Sequence, residues 1–160
     1  MRSREAGRGD GVDELLEGFL DVFLRVLPLT LGPLRSPSEL LWIQAAQLFG
    51  SFAAQRGLAA GEVIEEFRLL RESIIRLLWA SPPVSDPNRM ALREVLRLNR
   101  VIDSGVAHAS VGHTDVLFFA LFQGSGVPET LTDDARYEIR EQLHAIDAEV
   151  RTLRRVLSGG

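Results

Sequence analysis

The chain has 160 residues, 46% of them apolar and 25% charged, with a formal net charge of −4 at pH 7. That is one globular domain's worth of chain, and its acidic balance of interspersed charges excludes a charge-driven nucleic-acid binder. It has no Cys, and all 18 basic residues are Arg. Disulfides, thiolate metal sites, cysteine nucleophiles, lysine Schiff bases and a phosphate-loop lysine are therefore excluded.

Residues 1–10, rich in Arg and Gly and without a signal peptide's apolar stretch, are expected to form a disordered arm, and residues 11–158 a single domain. The spacing of Leu15, Leu16, Phe19, Leu20, Phe23 and Leu27 predicts a helix over about 12–27, stopped by Pro28. Ser36, Pro37 and Glu39 read as the N-cap, first position and capping-box partner of a second helix, which ends at Arg56-Gly57. A third helix spans about 60–80 and stops at Ser81-Pro82-Pro83. Asp86-Pro87 should cap a long fourth helix over 87–122, bent at Gly105 or Gly112. After the break Gly124-Ser125-Gly126-Val127-Pro128, a fifth helix is capped near Thr132 and runs to about 157. No segment alternates with period two over a useful length, so the expected class is all-α: a four- to five-helix bundle or globin-like domain.

In the fifth helix Ile139, Leu143, Ile146, Val150, Leu153 and Leu157 follow spacings of four and three, a heptad seam. Such a seam packs either inside its own bundle or against the same helix of a second subunit. In the fourth helix the run 116–122 is apolar all round, so Phe118, Phe119 and Phe122 join Ile139, Leu143, Ile146, Val150 and Leu153 as candidate dimer-interface residues. That run is the longest apolar stretch and falls well short of 18 residues, so neither a membrane span nor a membrane partner is expected, and a cytoplasmic location is.

Two polar islands interrupt the apolar helices. One is Glu65-Glu66-Phe67-Arg68-Leu69-Leu70-Arg71; the other is Leu98-Asn99-Arg100-Val101-Ile102-Asp103. Asn99 and Asp103, four apart, share a helix face. Glu66, Arg71, Asn99 and Asp103 are expected to point inward as a structural or sensing network, with Arg71 and Asp103 paired across neighbouring helices. Together with Arg56-Gly57 upstream, these islands resemble the E-[FY]-R-x-L-R … L-N-x-x-[IL]-D pattern of the RsbRD N-terminal domain family over roughly residues 12–123. The resemblance implies a non-haem globin-like or bundle domain of the kind that serves stressosome co-antagonists and bacterial sensor histidine kinases as an input module. Such domains dimerise and pass a state to a STAS or kinase module. No such module follows in this sequence, so the resemblance points to a separate kinase or STAS-type partner, or to an excised input domain.

Reactive constellations are sparse. There is no H-E-x-x-H, no nucleophile elbow and no Gly-rich phosphate loop, and His113 near Asp115 is the one candidate pH-sensitive pair. His108-Ala109-Ser110-Val111-Gly112 weakly resembles the proximal-histidine stretch of haem-binding globin sensors, which makes His108 and His113 candidate ligand residues. The sequence reads as a non-catalytic signalling module without a cofactor. The alternative is a small-ligand or haem sensor with a pocket between the third and fourth helices.

Overall fold

The computed structural model describes residues 3–80, 92–126 and 131–159, all of them helix or connecting turn. The helices are α1 (Ser3–Leu31), α2 (Arg35–Gln55), α3 (Ala60–Ala80), α4 (Leu92–Phe122) and α5 (Asp133–Ser158). Among the described residues there is no strand, and the architecture is an all-α bundle.

Local chemistry explains several boundaries. Gly57 (φ +78°) and Gly124 (φ +64°) take the left-handed conformation that closes a helix. At the first, the Gly57 N–H donates to the Ala54 carbonyl and the Leu58 N–H to Ala53, both at 3.0 Å; Gly124 and Ser125 repeat the pattern on Leu121 and Ala120. Thr132 caps α5, its hydroxyl accepting from the Ala135 N–H at 3.2 Å. Asp133 and Asp134 in the first turn and Arg155 in the last suit the helix dipole.

Three boundaries differ from the sequence expectation. Helix α1 begins at Ser3, inside the stretch expected as a disordered arm. It also continues past Pro28 to Leu31, because Leu29 and Thr30 are buried and the bond a proline cannot make falls in the last turn. There Thr30 Oγ1 donates to the Leu27 carbonyl at 2.6 Å. Helix α2 starts at Arg35 with Leu34 as its cap residue and no side-chain cap bond, so Ser36 is not the cap. It is the buried Ser38 whose hydroxyl donates back to Leu34 at 2.6 Å. The terminator at 81–83 and the cap at Asp86-Pro87 lie outside the described residues.

Helix α2 is the hub. Leu41, Trp42, Ala45, Leu48, Phe49, Phe52 and Ala53 are buried, as are Ala46, Gly50 and Ala54, so only a strip through Leu40 and Gln44 is left to solvent, as befits a helix with neighbours on most sides. It lies against α1, α4 and α5 and touches α3. Phe19 and Phe23 of α1, Phe49 of α2 and Phe67 of α3 meet at its centre, with ring centroids 5.3–5.9 Å apart between helices. Burying each such ring stabilises by roughly 2–3 kcal/mol over leaving it exposed.

The closest crossing is α2 on α4. A Cβ on Gly50 would stand 1.8 Å from the Ala109 carbonyl oxygen, and one on Gly112 would stand 2.0 Å from that of Gln47. Gly105 lies under the Phe67 and Trp42 rings, 2.8 and 3.1 Å from where its Cβ would be. Side chains stitch the contact: Trp42 Nε1–H donates to the Val101 carbonyl at 2.8 Å, and Ser51 Oγ to that of Gly112 at 3.1 Å. Gly112 therefore admits a neighbouring backbone and Gly105 two aromatic rings; neither breaks α4, which is one helix from Leu92 to Phe122.

Helix α4 is also, among the described residues, the one helix long and apolar enough to cross a membrane by length and composition. No uninterrupted apolar run marks it in the sequence, because Gly, Ser, His and Thr dilute the stretch without adding charge.

Candidate functional site

The polar islands lie on α3 and α4, which pack together, and the expected Arg71–Asp103 pair forms between them. It is not buried: the Asp103 side chain is 65% exposed and that of Arg71 31%. Glu66 faces outward, at the rim of a shallow apolar groove between α1 and α3, and Asn99 is half-buried. The four residues thus do not converge. The sequence placed them inward because they neighbour Phe67, Leu98 and Ile102, which do hold the core positions.

Four further polar residues of α3 form a surface chain. Arg68 bonds Glu65 through Nε and one terminal nitrogen, its other terminal nitrogen lies 3.7 Å from Glu72, and Arg76 in turn bonds Glu72. The hydrogen bond from Arg68 holds the Glu65 carboxyl below the ordinary glutamate range, and the reciprocal bond raises the Arg68 guanidinium.

The histidines do not form a ligand set. His113 is 4% exposed and its Nε2–H donates to the Leu58 carbonyl at 2.7 Å, tying α4 to the α2–α3 turn. That nitrogen is committed to the fold, and Asp115 is exposed and makes no ion pair with it. His108 is half-buried with a shielded Nδ1 that has no hydrogen-bond partner. Neither lines the clefts described here, and among the described residues no group of three acidic or histidine side chains could hold a metal ion.

The heptad seam of α5 is used within the chain. Ile139, Leu143, Ile146 and Val150 are at most 6% exposed, packed with Leu153 into the common core against α1 and α2. Arg25–Asp147 at 3.0 Å and Arg140–Glu14 at 2.9 Å flank the seam on the α1 side. These five residues are core, not a docking face. Bundle packing and two-chain coiled coils share one periodicity, which is why the pattern alone had left both open.

What remains uncovered is the end of α4. Beyond His113 the helix runs clear of the bundle, with only Val116 and Ala120 half-buried. Phe118, Phe119, Leu121 and Phe122 are 56, 64, 75 and 88% exposed. Four large apolar side chains within five residues form a contiguous patch of the kind that marks an interaction surface. Among the described residues, one cleft lies where the α1–α2 corner meets α4 and the shallow groove lies between α1 and α3, whereas the ligand pocket was expected between α3 and α4.

Comparison with family models, curated proteins and solved structures finds no match to this chain.

Proposed function

We propose that the protein is a non-catalytic signalling module of the input-domain type, cytoplasmic, acting as a homodimer through the protruding end of α4. The observation that carries this reading is the exposure of Phe118, Phe119, Leu121 and Phe122 on a rigid helix. Aromatic side chains on a fixed backbone supply large contact area at low entropic cost, and they dominate the centres of protein interfaces. From Thr114 to Phe122 the helix carries Asp115 and no Arg. A helix lying on an anionic membrane would need basic residues along its polar face, so this composition favours a protein partner. A second copy is the simplest such partner, because one patch then covers its own equivalent across a two-fold axis. The likeness of the polar islands to RsbRD-type domains supports the same role, with a kinase or STAS-type protein receiving the signal.

Gel filtration with light scattering tests the reading. The expected result is a dimer at tens of micromolar that the double substitution Phe119→Arg, Phe122→Arg converts to a monomer without lowering the melting temperature. A wild-type protein that stays monomeric in concentrated solution, or that floats with lipid vesicles through this helix, would overturn it.

A further inference from the structure

A second feature of the molecule lies away from the α4 tip and does not depend on the dimer reading. Arg93, Arg97 and Arg100 are spaced by four and three residues, so they share one face of α4, and Arg35 approaches from the first turn of α2. All four line a cleft of about 720 Å³ at the α1–α2 corner. One carboxylate joins them, Glu39, whose Oε2 is 4.0 Å from Arg35 Nε. Among the described residues Arg93, Arg97 and Arg100 take part in no ion pair, whereas Arg25, Arg68, Arg71, Arg76, Arg140 and Arg151 each face a carboxylate. In a protein of net charge −4, this gathering of guanidinium groups runs against the overall balance. Like charges stacked along one helix face repel one another, a cost an anion in the cleft would relieve.

Apart from Thr30 and Ser104, the rest of the lining is apolar or glycine. Trp42 lies beneath the floor, 1% exposed and with its N–H spent on Val101, so it offers the cleft no donor. Leu92 and Leu96 stand beside the arginines, 73 and 48% exposed. We propose that this cleft binds a small phosphate-bearing organic anion of about nucleotide size, its phosphates held by Arg93, Arg97 and Arg100 and its apolar body lying along Leu92 and Leu96. The volume falls in the range of small-molecule sites, about 300–1,000 Å³, which combine an apolar lining with a few placed polar groups. Guanidinium groups hold phosphate oxygens in bidentate pairs, and several together favour a di- or polyanion over a lone carboxylate. A concave shape at the corner of three helices favours a compact molecule over an extended acidic peptide.

The experiment is calorimetric titration of the intact chain with ADP and with inorganic pyrophosphate, alongside flotation with phosphatidylglycerol vesicles. Saturable binding of ADP or pyrophosphate, weakened about tenfold or more by Arg97→Glu and by Arg100→Gln but unchanged by Arg76→Glu on α3, is the expected result. Circular dichroism confirms that each variant keeps its helical content. Absence of saturable binding, an equal loss in the Arg76→Glu control, or binding to vesicles without binding of either soluble anion would each overturn the assignment. The dimer reading is scored by light scattering and this one by heat of binding, so one can fail without the other.

Discussion

Gly50 on α2 and Ala109 on α4 meet with no room for a side chain between them: a Cβ on Gly50 would lie 1.8 Å from the Ala109 carbonyl oxygen and 2.9 Å from its Cα. The obstacle is helix backbone, which cannot swing aside as a side-chain tip can. Gly50→Ala must therefore part the two helices that carry the core. Overpacking of this kind costs about 1–3 kcal/mol and more where backbone must move, so the expected loss is at or beyond about 3 kcal/mol. Gly61→Ala is the control, because nothing lies within 4 Å of the added methyl in an exposed helix. It should raise stability by up to about 1 kcal/mol. Chemical denaturation of the pair tests this, and a Gly50→Ala protein as stable as the wild type would refute the crossing.

That crossing also shows where the sequence was readable and where it was not. The end of α2, the end of α4 and the start of α5 were legible because Gly57, Gly124 and Thr132 act locally, through hydrogen bonds to residues a few positions away. Gly105 and Gly112 were misread as bends because their purpose lies in what faces them, the Trp42 ring and the Gln47 carbonyl, some sixty positions away in the chain. A signal was present: Ala46, Gly50 and Ala54 recur every four residues on α2, and Gly105 and Ala109 do so on α4. Small residues at that spacing let helices approach closely. The polar islands show the same limit, since spacing gave Arg71 its partner but could not say which side of the α3–α4 seam faces water. The arginine cleft went unseen for a related reason: Arg35 joins Arg93, Arg97 and Arg100 only once the bundle has folded.

The α5 seam yields a prediction about stability and not about assembly. Ile146 is 6% exposed and belongs to the core. Ile146→Ala should destabilise by about 2–4 kcal/mol through lost burial and an unfilled cavity. Ile146→Asp should unfold the chain, since a carboxylate there has no partner to offset its desolvation. A folded, monomeric Ile146→Asp protein would instead return this helix to the list of docking faces.

The Arg71–Asp103 pair should matter little to stability despite its place in the family-like motif. With Asp103 65% exposed, water screens the attraction, and exposed pairs contribute about 0–1 kcal/mol. Arg71→Ala is expected to lower stability by less than about 1 kcal/mol, with the difference shrinking as salt is added. A loss of several kcal/mol, insensitive to salt, would show that the pair is shielded from solvent and restore a structural role.

The pH dependence of α3 follows from Glu65 and Arg68. The hydrogen bond from Arg68 lowers the Glu65 carboxyl in the folded chain, so ionisation there is favoured over the unfolded state. Its contribution to stability is present above the unfolded glutamate value and disappears as pH falls through the lowered folded value. Both side chains are exposed, so the effect is confined to α3 and screened by salt. Arg68→Ala should move the Glu65 carboxyl back up toward the ordinary glutamate value in a carbon-detected NMR titration. It should also cost melting temperature near neutral pH, and the cost should vanish as the pH falls through the lowered Glu65 value and the carboxylate becomes protonated in either protein. A Glu65 that titrates at the same pH in both proteins would mean the arginine spends its time in water instead of on the carboxylate.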